Sequence, residues 1–250
     1  MFPIKNAVPT RYPPVVTWAL IAANCLVFFV QLGLSPGEEE LFLIRFALIP
    51  ARYFGLLPVG SASSPADYLP FLTMMFLHGG WLHLILNMWT LWLFGKVVED
   101  RMGSGRFLLF YLVCGILAAF THAIFNADSV VPALGASGAI AGVLGCYVRL
   151  FPTARLVVMV LIIIIPFFFE VPAILYVGFW FIMQILQGAV DLFGPATGGG
   201  VAWWAHIGGF VGGLSLGSLF AQSERAYRRY YPDEGVLGFD PWGRRIRPPL

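Results

Sequence analysis

Ser137 sits between glycines in Gly135-Ala136-Ser137-Gly138, at the head of the apolar run Ala139 to Leu150. A serine hydroxyl is a weak nucleophile until a neighbouring base takes its proton, and histidine most often does that work. The chain has four histidines: His78, His83, His122 and His206. Gly209 and Gly213 follow His206 at i+3 and i+7, on its own helical face. The segment opened by Ser137 carries Gly138, Gly142 and Gly145. Two glycine-lined helices approach closely in a membrane, which brings a Ser137 hydroxyl within reach of a His206 ring nitrogen. Taken alone, the same glycines serve plain helix packing. His83 and Asn87, four residues apart, share a second helical face. With the Ser137 backbone N–H they make donors suited to a developing oxyanion, each worth about 3–4 kcal/mol in the transition state. Asn87 by itself is equally suited to bonding between helices.

These residues need elements to hold them, and the composition says of what kind. Of 250 residues, 59% are hydrophobic and only 11% charged, with a mean hydropathy of +0.81. A soluble domain carries about 25% charged residues, so the chain reads as an integral membrane protein. Six apolar runs approach or reach the roughly 17–25 residues that cross a bilayer: about 15–34, 81–95, 107–125, 135–151, 171–190 and 201–221. With a cytoplasmic N-terminus, thirteen Lys and Arg fall in inside segments, against Arg45 and Arg52 outside. That asymmetry orients the bundle with both ends cytoplasmic. The expected fold is therefore an all-α, polytopic bundle. Residues 1–14 form a cytoplasmic segment, 15–221 a six-helix membrane domain and 222–250 a basic cytoplasmic tail.

The run Leu156 to Phe169, with Pro166 inside it and Glu170 and Pro172 after it, is too short for a span of its own beside the next helix. A seventh span there would also move the arginine-rich tail outside. It is expected as an interfacial or partly buried connection on the cytoplasmic side. The outside loop 35–70 mixes Glu38, Glu39 and Glu40 with Leu41-Phe42-Leu43-Ile44 and reads as an interfacial segment. Cys25, Cys114 and Cys146 lie in apolar runs, odd in number, and imply neither a disulfide framework nor a metal site. The basic residues are spread over short loops and the tail, which is no footprint for nucleic acid.

Topology also fixes depth. The second, fourth and sixth spans all run from outside to inside, and His83, Asn87, Ser137 and His206 lie in or near their first two turns. All four groups therefore share one shallow level below the outer surface.

At this point the residues resemble the rhomboid family of intramembrane serine proteases. Gly135-Ala136-Ser137-Gly138 is similar to the family's Gly-x-Ser-Gly. Ala205-His206-Ile207-Gly208-Gly209, continuing to Gly213, resembles its Ala-His-x-x-Gly-x-x-x-Gly, and His83 to Asn87 its His-x-x-x-Asn. Glu99, Gly103 and Phe107, in the segment that also holds Arg101, match a fourth signature after the second span. The resemblance covers about residues 15–221. It implies a bacterial-type six-span core in the cell (inner) membrane, with Ser137 as nucleophile and His206 as general base in a dyad without a carboxylate. It further implies transmembrane proteins as substrates, cleaved toward the outer side, with lateral access past the fifth span, and no cofactor or metal. Glu99, near Arg101, is expected to tie the cytoplasmic loop, and His78 to have a structural or water-retaining role. Two positions depart from the pattern. Leu69-Pro70 stands where many members have Trp-Arg, although Thr73 is kept. Ala141 stands where some members place an aromatic that stacks on the histidine, so His206 must be oriented some other way.

Other intramembrane protease chemistries lack their residues. There is no His-Glu-x-x-His for zinc, no mid-span aspartate pair, and Lys5 and Lys96 are both cytoplasmic. Two non-proteolytic readings remain open: an inactive rhomboid-like protein that binds membrane clients, and a transporter. The first is opposed by the presence of all four polar residues. The second is opposed by their common shallow depth, since transporter sites gather near the midplane.

Overall fold

The computed structural model describes residues 2–54, 64–193 and 202–222. Helices dominate: α1 (Val15–Leu32), α2 (Pro36–Phe46), α3 (Pro70–Thr73), α4 (Trp81–Thr90), α5 (Lys96–Met102), α6 (Ser104–Phe125), α7 (Ser137–Leu150), α8 (Ala173–Phe193) and α9 (Trp203–Phe220). A π-helical turn, Leu91–Gly95, joins α4 to α5 into one continuous rod. Among the described residues, four helices are long and apolar enough to cross a membrane: Val15–Leu32, Trp81–Met102, Ser104–Phe125 and Ala173–Leu192. Ser137–Leu150 is a shorter apolar helix. The second expected span runs further than the sequence suggested, through Lys96 to Met102, because Glu99 and Asp100 are drawn into the protein interior. Glu99 accepts hydrogen bonds from the Val16 and Thr17 N–H groups and from the Thr17 and Ser104 hydroxyls. Asp100 accepts from the Arg11 and Tyr12 N–H groups. The two carboxylates thus satisfy orphan donors at and before the start of α1, where a negative charge is also favoured by the helix dipole. Arg101 instead lies over the Phe151 ring, 5.7 Å from its centroid.

The all-α expectation is corrected by a three-stranded antiparallel sheet, in the order β1-β2-β3. Its strands are β1 (Phe2–Asn6), β2 (Arg155–Ile162) and β3 (Ile165–Pro172). The segment expected as an interfacial connection is thus a hairpin, and the N-terminal segment supplies its third strand. The physical reason is local. Val157 to Phe169 contains no polar side chain and is rich in Val, Ile and Phe, which favour pleated backbone. Pro166 removes the N–H an inner helical turn needs. The turn is two residues long, with Ile163 at φ +60, a conformation that β-branched residues rarely adopt. Prolines occupy two positions of β3, Pro166 and Pro172. β1 lies along the α4 rod: the Trp89 indole N–H donates to the Pro3 carbonyl, and the Asn6 amide donates to the Leu93 carbonyl. The π turn disturbs the helical ladder at that point, and Asn6 supplies a donor to it. The hairpin tip, from Leu161 to Ile165, is exposed.

The segment expected as an outside loop begins with α2, where the Ser35 N–H and hydroxyl both donate to the Glu38 carboxylate. This is a capping box, and the two bonds hold the Glu38 carboxyl below its usual range. Leu48 and Ala133 form an antiparallel bridge, so the loop is tied directly to the segment leading into Ser137. Where the family pattern has Trp-Arg, Leu69 ends a 3-10 turn and Pro70 opens α3; the Thr73 hydroxyl donates to the Phe46 carbonyl. The tail expected at 222–250 falls outside the described residues beyond Gln222, whose N–H donates to the Arg101 carbonyl.

Candidate active site

Ser137 is the first residue of α7, and the loop before it is held by backbone bonds. The Gly135 N–H donates to the Met74 carbonyl. Gly135 has φ +127, a region that side chains rarely occupy. Space demands glycine there as well: a Cβ would stand 2.8 Å from both Cε1 and Nε2 of His83. The His83 ring therefore lies directly against the loop backbone. The same hypothetical Cβ would be 3.7 Å from Ser137 Oγ, so His83, Gly135 and the Ser137 hydroxyl share one small volume.

His206 lies in the first turn of α9, buried, with Nε2 2.8 Å from Ser137 Oγ. The glycines explain how two helices carry a serine and a histidine this close. A Cβ on Gly209 would collide with the Gly138 carbonyl oxygen, and one on Gly213 with the Gly142 carbonyl oxygen. On α7, a Cβ on Gly142 would meet Cys114 Sγ at 2.7 Å and the Gly209 carbonyl oxygen at 3.1 Å. The backbones of α7 and α9 thus touch with nothing between them, as small-residue stripes permit. A Cβ on Gly138 would meet Ala118 Cβ at 2.6 Å, which brings α6 into the same contact.

The second nitrogen of His206 is also engaged. Its Nδ1 lies 2.7 Å from Gln184 Oε1, on α8. The Gln184 amide nitrogen donates to the Trp180 carbonyl at 3.2 Å. Ala141, where an aromatic was absent, is fully buried, and the Trp180 and Trp203 rings flank the imidazole at 5.9 and 6.3 Å instead.

Of the remaining sequence candidates, Asn87 is buried one turn below His83, and its amide nitrogen makes no hydrogen bond among the described residues. His78 lies in the loop before α4, with its ring 5.1 Å from that of His83. Its backbone exchanges two hydrogen bonds with the Gln31 side chain, which fastens the loop to α1. Burial, with a further push from His83, takes the His78 ring down to about 4. Glu99 and Arg101 are not part of the site; they stand at the far end of the α4–α5 rod. Gln184 was missed from the sequence. Its signal was a glutamine on the α8 face of Ala173, Val177 and Gly188, the residues of that helix that are buried.

Comparisons with known proteins identify the family. The family described as "Rhomboid domain" matches residues 65–223. The chain belongs to the rhomboid family. It is 38% identical to "Rhomboid protease GluP" of Bacillus subtilis over 53% of this chain and 24% of that protein. It is 31% identical to "Rhomboid protein 1, mitochondrial" of Saccharomyces cerevisiae, over 87% of this chain and 57% of that protein. It is also 31% identical to "RHOMBOID-like protein 6, mitochondrial" of Arabidopsis thaliana, over 94% of this chain and 83% of that protein. The chain therefore spans less than two thirds of the first two rhomboid relatives. With its long apolar helices it is a multi-pass membrane protein. The expectation of a bacterial inner membrane narrows to that coarser statement, since two of these rhomboids are named mitochondrial.

Proposed function

We propose that this rhomboid is a serine-type intramembrane endopeptidase that cleaves transmembrane segments of other proteins. The observation that carries the reading is the 2.8 Å contact between Ser137 Oγ and His206 Nε2, beside a glycine loop against which His83 is packed. Ser137 attacks the scissile carbonyl while His206 takes its proton and then delivers it to the leaving amine. The oxyanion is received by the Ser137 N–H, one of the orphan donors of the first turn of α7, with His83 and the Asn87 amide nitrogen beside it. The bundle crosses the membrane six times, counting α7 and α9, with both ends cytoplasmic and the dyad near the outer surface. The divisions at 14/15 and 221/222 follow from that count. Substrate helices reach the dyad laterally past α8 and must unwind, because hydrogen-bonded backbone cannot present a carbonyl to Ser137.

The test is cleavage of a single-span reporter by the full chain in detergent, alongside labelling by a fluorophosphonate. Ser137→Ala and His206→Ala are expected to lose cleavage while keeping wild-type thermal stability, and Ser137 is expected to be the labelled residue. Undiminished cleavage by Ser137→Ala would sink the mechanism, and a wild type that neither cleaves nor labels would favour a client-binding rhomboid.

A further inference from the structure

From the geometry we infer that Gln184 is the positioning residue of the dyad, replacing the stacking aromatic that Ala141 does not supply. This inference rests on the dyad proposed above. An imidazole that is to accept the Ser137 proton at Nε2 must carry its own proton on Nδ1. Nothing in a bare Ser–His pair enforces that choice, and a ring locked in the wrong tautomer loses on the order of 10⁴ in kcat.

Gln184 makes the choice, and its own orientation is fixed independently. An amide can be turned over without changing its outline, so the partner of each end decides the assignment. Gln184 Nε2 has the Trp180 carbonyl, which only accepts, at 3.2 Å. The amide oxygen must then be the end facing His206, as it is at 2.7 Å. Oxygen accepts only, so Nδ1 is the protonated nitrogen. Nε2 is left with a lone pair directed at Ser137 Oγ, 2.8 Å away. The chain Trp180 carbonyl, Gln184 amide, imidazole, Ser137 hydroxyl is continuous, with each donor matched to one acceptor. When His206 takes the serine proton, the same amide oxygen faces the positive ring. It is neutral, so it orients the ring and steadies the imidazolium less than a carboxylate would.

Location gives the bond a second property. Ser137 and His206 ride on α7 and α9, which are locked backbone to backbone. Gln184 rides on α8, of whose membrane-crossing window only 22% is buried, against 44% for α6. The ring is therefore held in its working tautomer only while α8 lies against α9.

The test uses the full chain in detergent with the same reporter and fluorophosphonate. Gln184→Met keeps length and removes the acceptor. It is expected to lower kcat and the labelling rate about 10- to 100-fold with KM little changed, because the lost property is proton transfer. Gln184→Glu keeps an acceptor at Nδ1. It is expected to recover most of the rate and to move the acid limb of the kcat/KM pH profile to higher pH. A packing role moves neither the tautomer-dependent rate nor that limb. Wild-type kcat and labelling in Gln184→Met would overturn the inference, as would an unshifted acid limb in Gln184→Glu. Should Gln184→Met fail to fold, the Gln184→Glu profile decides alone. Failure of the dyad itself is distinguishable, because the wild type would then not label at Ser137.

Discussion

α9 packs against two neighbours in opposite ways. Toward α7 it presents Gly209 and Gly213, each so close to a carbonyl oxygen of α7 that a single added carbon has no room. Toward α8 it presents side chains: Phe210 stacks on Phe181 at 4.1 Å, and His206 bonds to Gln184. On α8 itself, Gly178 has open space where a Cβ would go. The first contact is a fixed distance and the second is an adjustable one. A nucleophile and its base must be held to within a fraction of an ångström, and the proposed pair, Ser137 and His206, sits on the fixed side. Gln184, proposed to orient the base, sits on the adjustable side, next to the path proposed for substrate.

This contrast can be broken most directly at Gly213. Gly213→Ala pushes a methyl into the Gly142 carbonyl, and backbone on both sides resists. The expected loss is at least ~3 kcal/mol of stability, at the upper end of overpacking costs, together with loss of fluorophosphonate labelling. A Gly213→Ala protein that melts and labels like wild type would show that α7 and α9 are not locked. Glu99→Ala sharpens the comparison from outside it. Removing a buried carboxylate that accepts four hydrogen bonds should cost about 3 kcal/mol in thermal stability. At temperatures where the protein stays folded, its labelling rate should remain within about twofold of wild type, because the two sites are distant. A tenfold slower label in folded Glu99→Ala would tie the base of α1 to the dyad. The smallest effect belongs to Gly178→Ala on α8, where an added methyl meets nothing. Stability should rise or hold, by less than ~1 kcal/mol, with cleavage unchanged. A marked loss there would mean that α8 is also tightly packed.

The parts of the site legible in the sequence are those with short, regular spacing. Gly209 and Gly213 after His206, and Gly138 and Gly142 after Ser137, predict a close pair of helices because i+4 spacing lays them along one line. Charge asymmetry adds the expectation that all four polar groups share one depth. Gln184 was not legible in that way. Its role depends on the rotation of α8 about its own axis, which only the widely spaced small residues Ala173, Val177 and Gly188 mark in a helix otherwise crowded with large apolar side chains. The sheet was hidden for a related reason. Val157 to Phe169 is apolar throughout, so it shows neither the alternation of a half-exposed strand nor the period of a helix. Pairing with Phe2–Asn6, more than a hundred residues away, is a long-range contact that no local window contains. The N-terminal segment therefore read as a plain cytoplasmic extension, although it is built into the molecule.

The two prolines of β3 carry a consequence of their own. A two-residue turn makes Ile162 and Ile165 the first hydrogen-bonded pair of the hairpin, so alternate residues of β3 from Pro166 onward turn their amide positions away from β2. Those positions are Pro166, Phe168, Glu170 and Pro172, and two of the four have no N–H to offer. A bare strand edge is adhesive toward any extended peptide. With its outer amides half deleted, β3 cannot zip such a segment into a ladder. β3 therefore closes the sheet: a further strand would find half of the donors it needs missing along this edge.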